Sequence, residues 1–214
     1  MARAGHGAAG LTRAAGADGV PARLQPLLLA SRSPRRAELL AAAGYRHELV
    51  PGDVDETPLA GEAPRDTCLR LAEAKAAAGA AGRGAGTVLG GDTLIALDGV
   101  ALGKPADEGE ARAMLGSLSG RTHEVVSAVA LRRAPAGPLV SGLSVAEVAF
   151  APLDGAALDG YLASREWEGK AGAYAIQGRA AAFARIVRGE LDTVVGLPLA
   201  LVGRLLQLLD ERTR

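Results

Sequence analysis

Short, continuously apolar runs alternate with longer segments of helical period along this chain, and that alternation leaves few architectures open besides α/β. The first unit is the most sharply punctuated. Pro26 to Ala30 (PLLLA) is too short for a helix and apolar enough for a buried strand. Ser33 then stands where a helix N-cap belongs, with Pro34 at the first helical position, where its missing N–H costs nothing. Leu39, Leu40 and Ala43 supply an apolar face, and Gly44 a stop. The same reasoning predicts a strand over 47–50, a helix over 64–79, and a strand over 87–90 ending at Gly91-Asp92-Thr93. A hairpin over 94–102 follows, turning at Asp98-Gly99, and then a helix over 107–118. Two long β segments (123–131 and 139–150) are joined by a Pro/Gly turn. A helix near 153–164 and a Gly-rich loop over 169–178 come next. Short β pieces at 183–187 and 193–195 and a helix over 197–211 close the chain.

No repeat and no inner linker interrupts this order, so residues 25–214 read as one domain with room for two lobes. Residues 1–24 differ. They are rich in Ala, Gly and Arg, hold Asp18 as their one acidic residue, and show no sustained apolar period. A signal peptide needs an apolar stretch of about 7–15 residues, and a transit peptide needs serines. Neither is present, so a disordered tail is the expectation.

Composition excludes several functions. Lys plus Arg and Asp plus Glu both number 24, so the net charge is zero and any anion binding must be local. Nothing points to nucleic acid or to a membrane surface, and aromatics at 3% are too few to stack bases along a strand. No apolar run reaches the roughly 18–20 residues of a spanning helix. Cys68 is the only cysteine, which rules out an internal disulfide and suits a reducing, cytoplasmic setting.

The chemistry concentrates at a few points. Ser31-Arg32-Ser33-Pro34-Arg35-Arg36 lies between a strand and a helix, where free backbone N–H groups and the positive helix end favour an anion. Arg35 and Arg36 add guanidinium forks suited to phosphate. The same residues also read as a plain capped helix with two solvated arginines, although adjacent arginines in a first turn oppose the dipole. Asp55-Glu56 and Asp92 each follow a predicted strand, where open α/β sheets place ligands. Such carboxylates can hold Mg²⁺ or position an attacking water, or simply face solvent in turns. Lysine is scarce, with Lys75, Lys104 and Lys170 set against 21 arginines, and its retention at loop and helix ends is suggestive. His123 is a candidate general acid or a structural histidine. Gln177 is a candidate reader of a base edge or a loop hydrogen bonder. Cys68 lacks a nearby histidine in sequence and is a poor candidate nucleophile. Met114 and Trp167 belong to the core or an interface. No GxxxxGK[ST] loop, GxGxxG fingerprint or zinc-spaced His/Cys cluster is present.

Eight motifs in order resemble one family. LLLASRSPRRAELL (27–40), VDE (54–56), LAEAKA (71–76), GDT (91–93), LGKP (102–105), GRTHEV (120–125), KAGAYAIQG (170–178) and VVGLPL (194–199) are similar to the Maf nucleoside triphosphate pyrophosphatases, once described as septum-formation inhibitors. The resemblance spans about residues 26–209. It implies a mixed, twisted sheet in two lobes around a central cleft, related to the inosine triphosphatase fold. It also implies a divalent cation (Mg²⁺ or Mn²⁺), a possible homodimer, and cleavage of a triphosphate to monophosphate and pyrophosphate. By motif, Asp92 would be the catalytic carboxylate and a metal ligand, with Glu56 its metal partner. Ser31, Arg35, Arg36, Lys75 and Lys104 would hold the triphosphate, and Arg35, Thr93 and Gln177 would bear on substrate choice. AYAIQG resembles the dTTP/UTP branch; a branch acting on 7-methyl-GTP usually differs at Ile176-Gln177-Gly178, and a nucleotide-binding regulator of septum formation is the non-enzymatic alternative. Gly90-Gly91-Asp92-Thr93 departs from the commoner Gly-Ala-Asp-Thr, with little effect expected from Gly91.

Overall fold

A computed structural model describes residues 20–214. A mixed sheet of seven strands organises them. Its strands are β1 (Leu27–Ala30), β2 (Glu48–Leu49), β3 (Thr87–Leu97), β4 (Val100–Leu102), β5 (Thr122–Arg133), β6 (Leu139–Phe150) and β7 (Ala184–Arg188). The order is β2-β1-β3-β5-β6-β7, with β4 also paired to β3. β1 runs parallel to β2 and β3, and the remaining pairs are antiparallel. The helices are α1 (Pro34–Ala42), α2 (Pro64–Ala80), α3 (Glu108–Leu118), α4 (Gly155–Leu162), α5 (Leu191–Val195) and α6 (Leu199–Arg212). No described helix is long and apolar enough to cross a membrane.

β3 forks the sheet. β5 pairs along it from Thr87 to Ala96, which occupies one edge. The other edge is shared: β1 takes residues 87–90 and β4 takes 95–97. Residues 91–94 between them have no strand neighbour on that side. The predicted strand end at Gly91 is therefore corrected. β3 continues because β5 keeps pairing through the two glycines, and Asp92 lies in mid-strand at the fork.

Alternation of side chains along the strands separates the two faces. On one face, Cys68, Ala72 and Ala76 of α2 pack on Val126, Ala128 and Ala130 of β5. Small residues at a spacing of four let the helix lie close to the sheet. On the other face two cores form. One joins β1, α1, α6 and the far end of β5, with Leu29, Leu40, Leu131 and Leu206 fully buried. The second joins β4-side residues of β3 to α3 and α4, around Ile95, Leu115, Phe150 and Trp167. Between Val125 of the second core and Val129 of the first stands Ser127. Thr93, Ser127 and Ser144 sit opposite one another on β3, β5 and β6, so a row of hydroxyls crosses the sheet and divides the lobes.

Two further expectations change. Residues 193–195 are helical rather than extended, because the turn winds around Asp192: Gly196 and Leu197 N–H donate to its carbonyl, and Leu199 N–H to its carboxylate. The tail boundary also moves. Residues 22–24 form a 3₁₀ turn, Val20 and Leu24 enter the first core, and Arg23 binds Asp210 of α6 through both carboxylate oxygens. Residues 1–19, where the disordered tail is expected, lie outside the described residues. Arg23→Ala leaves the Asp210 carboxylate with Arg214 as its remaining partner and should lower Tm by roughly 2–4 °C, read by thermal unfolding at pH 7.

Candidate active site

The fork in β3 opens a cleft of about 1010 Å³. α2 carries Lys75 to its floor, and this approach depends on Gly90. A Cβ there would stand 2.5 Å from the Ala76 nitrogen and closer still to the Ala72 carbonyl oxygen. The Lys75 Nζ lies 2.6 Å from Asp92 Oδ1 and 2.6 Å from Glu56 Oε1. Lys75 and Asp92 are largely buried, and Glu56 is half-exposed on the loop that follows β2. Burial alone raises the Glu56 pKa, but the Lys75 hydrogen bond and the charges of Lys75, Lys104 and Arg36 outweigh it and hold the carboxyl below its usual range. The Glu56 loop is itself clamped from outside the cleft. Arg70 donates to both Glu62 oxygens at 2.7 Å and to the Thr57 carbonyl, and it drives the Glu62 pKa down to about 2.

The second wall is the turn from β1 into α1. Ser33 stands at the N-cap, but its side chain makes no capping bond; its N–H donates instead to Ser31 Oγ at 3.2 Å. Arg36 reaches across the lobe boundary. Its Nη1 donates to Ser31 Oγ (3.1 Å), its Nε to the Gly196 carbonyl (2.9 Å) and its Nη2 to Thr93 Oγ1 (3.1 Å). Below it the proton directions are fixed. Ser127 donates to the Thr193 carbonyl at 2.7 Å, so its 2.9 Å contact with Thr93 requires Thr93 to be the donor. Burial lowers the Arg36 pKa, and the charge of Asp92 partly restores it. Arg35 on the next position makes no hydrogen bond or ion pair among the described residues.

The third wall belongs to the other lobe. Lys104 follows β4 and lies 4.0 Å from Glu56. Lys170, Tyr174 and Gln177 come from the loop after α4, and all three line the cleft. Burial and then the like charge of Arg35 lower the Lys170 pKa, so these two cations face a common space. All three lysines of the chain line this one cleft.

The cleft therefore gathers Ser31, Arg35, Arg36, Glu56, Lys75, Asp92, Thr93, Lys104 and Gln177, which the sequence scatters over some 150 positions. The Maf-like protein family profile matches residues 26–209. The chain belongs to the Maf family. Among curated relatives of this Maf protein, a dTTP/UTP pyrophosphatase of Cereibacter sphaeroides is 51% identical over 84% of this chain and 93% of its own length. A dTTP/UTP pyrophosphatase of Anaeromyxobacter dehalogenans is 49% identical over 85% and 92%. One from a Shewanella species is 46% identical over 81% and 92%.

Other candidates in the Maf chain fall outside the cleft. Asp55 is exposed and accepts the Thr57 N–H at 2.9 Å, shaping the turn that presents its neighbour Glu56. Cys68 is fully buried on the sheet face of α2, with its thiol pushed up to about 12 by burial and the charge of Asp92. His123 is buried beneath the cleft. It shares a 2.8 Å hydrogen bond with Tyr174 Oη, and Phe150 and Tyr174 meet it edge to face. Desolvation lowers its pKa to about 4. Ser127, Thr193 and Glu166 were not legible as site residues. Ser127 alone left a trace, as a lone hydroxyl in the apolar run from Val125 to Leu131.

The donor set also bears on a metal. Glu56 and Asp92 converge on one ammonium, and both offer the hard oxygens that Mg²⁺ or Mn²⁺ takes. No cluster of three or more His, Cys, Asp or Glu suited to a metal exists among the described residues. The pair fits an ion that completes its shell with water and substrate phosphate, not one caged by protein alone.

Two predictions follow from this packing. Gly90→Ala should destabilise by roughly 2–4 kcal/mol, because backbone of α2 stands where the methyl would go. Gly91→Ala should fold as wild type, since the nearest atoms its Cβ would meet, the Ala128 carbonyl oxygen and Arg36 Nε, stand at 3.4 Å, an ordinary contact distance; urea titration of both variants checks this. For His123, the folded state binds its proton less tightly than the unfolded chain, whose value is 6.5. Stability should then fall as pH drops from 6.5 toward 4, by up to about 3 kcal/mol. His123→Gln should flatten that slope, as seen in urea titrations across the interval.

Proposed function

We propose that this Maf protein hydrolyses dTTP and UTP to the monophosphate and pyrophosphate. One observation carries the reading: a carboxylate pair held on a single ammonium shares the cleft with Arg35 from one lobe and Lys170 from the other, neither of which has a carboxylate ion-pair partner among the described residues. That arrangement suits a polyanion whose reacting phosphorus must sit beside acidic oxygens while its outer phosphates meet positive charge. The names of the relatives identify the base, and a cytoplasmic setting is part of the same reading, in keeping with the free Cys68 thiol.

The chain's residues divide the work. Arg35 and Lys170 neutralise the β- and γ-phosphates, and Lys104 stands between that region and Glu56. Arg36 spends three N–H groups on Ser31, Thr93 and Gly196, which leaves one N–H on each Nη for substrate. It is chiefly a strut that locks the two lobes. Lys75 holds the Asp92 and Glu56 carboxylates on one ammonium, aimed at the same point. A divalent cation held by Glu56, Asp92 and phosphate oxygens would supply further charge neutralisation. Asp92 orients a water toward the α-phosphorus and accepts its proton. The new bond forms between that water oxygen and the α-phosphorus, and the α–β bridging oxygen leaves with pyrophosphate.

Asp92→Asn should lower kcat about a hundredfold or more. Arg35→Ala should raise KM for dTTP about tenfold with a smaller effect on kcat. Arg36→Ala should do both and also lower Tm, because three polar partners lose their donor. A panel of dTTP, UTP, CTP and 7-methyl-GTP, with pyrophosphate and orthophosphate quantified separately, checks all three. Near wild-type turnover by Asp92→Asn, or release of orthophosphate alone, would refute the assignment.

A further inference from the structure

Gln177 stands at the mouth of the cleft, exposed and without a hydrogen-bond partner among the described residues. Nothing in its own side chain fixes where its amide points. A free glutamine amide rotates to offer either its oxygen or its NH₂, so it matches the 4-oxo edge of uracil as readily as the 4-amino edge of cytosine. If Gln177 contributes to substrate choice, its backbone must be held by something else.

Glu166 does that holding. Its Oε2 accepts the Arg179 N–H at 2.7 Å, which caps the 3₁₀ turn Arg179–Ala182 directly after Gln177 and Gly178. Its Oε1 lies 3.9 Å from Arg179 Nε. The carboxylate also presses on Gly178 so closely that a Cβ at that position would stand 2.9 Å from Glu166 Cδ and nearer still to Oε2. Gly178 has φ of −100°, outside the left-handed region. It is the contact with Glu166, and not a left-handed turn, that excludes a side chain there. Glu166 itself rests on a firm base. The neighbouring Trp167 is buried in the second core and donates from Nε1 to the Leu162 carbonyl at the end of α4. The path runs from α4 through Trp167 and Glu166 to the segment that presents Gln177.

We propose that Glu166, packed on Gly178 and bonded to the Arg179 amide, is a positioning residue that sets the placement of Gln177 and thereby the preference for uracil- and thymine-type bases over cytosine. The proposal rests on the reading of Gln177 as a base-contacting residue. Glu166 lines the cleft but commits its carboxylate to residues 178–179.

The test compares kcat/KM for UTP and CTP, which share ribose and triphosphate and differ at the base edge. Gln177→Ala comes first and should lower the UTP-to-CTP ratio about tenfold or more. Glu166→Ala should lower it about tenfold as well, mainly through KM for UTP, since one charge-assisted hydrogen bond is lost. Glu166→Gln should restore most of the ratio, because its amide oxygen still accepts the Arg179 N–H. Gly178→Ala should reproduce the loss in the wild-type background by displacing the carboxylate, and should add little when combined with Glu166→Ala. This variant keeps the acid in the protein and carries the test even if Glu166→Ala folds poorly. A ratio unchanged within twofold in Glu166→Ala and Gly178→Ala, with Gln177→Ala reducing it, overturns the proposal and leaves the base-reading role of Gln177 intact. A ratio unchanged in Gln177→Ala overturns both.

Discussion

Everything in this structure turns on one strand that has two different neighbours on the same edge. β3 gives its first four residues to β1 and its last three to β4, while β5 holds the opposite edge almost throughout. The four residues left over include Asp92 and Thr93. Because successive side chains point to opposite faces, Asp92 turns toward α2 and Lys75, and Thr93 turns toward Arg36 and the hydroxyl row. A single dipeptide thus supplies an acidic group to one wall and a directed hydroxyl to the other.

The hydroxyl row explains why the fold has two lobes. Thr93, Ser127 and Ser144 cross three strands in register, and an apolar core cannot run through them. They are satisfied by one another and by α5, through Ser127 to the Thr193 carbonyl and Ser144 to the Thr193 hydroxyl. Arg36 closes the same seam from above by binding Gly196. The cleft is the outer end of this polar seam, so the groups that divide the cores are the ones that shape the site. Its lining cations then oppose one another, with Arg35 on one lobe and Lys170 on the other, and a bound polyanion relieves that repulsion.

Much of this was legible in the sequence. The Ser-Pro entry to α1 and the Asp98-Gly99 hairpin rest on local chemistry that does not depend on tertiary context, and they stand where predicted. The motifs singled out nine residues that line one cleft, and the three scarce lysines, suggestive in the sequence by their place at loop and helix ends, line it too. The fork was not. Two glycines before Asp92 read as a strand end, yet Gly90 is there to admit the backbone of α2 and the strand passes on. Residue chemistry alone does not separate Asp55 from Glu56; the motif singles out Glu56, and the Thr57 amide shows how Asp55 is held away. Glu166 left no signal at all, since a glutamate in a charged stretch gives no hint that its carboxylate will meet a glycine twelve residues on.

The central claim is that the acidic wall of the fork faces the α-phosphorus while the cations hold the leaving pyrophosphate. Hydrolysis of dTTP in ¹⁸O-labelled water reads this directly by mass spectrometry of both products. The structure predicts label in dTMP and none in pyrophosphate. Label in pyrophosphate would place attack on the β-phosphorus and contradict the account.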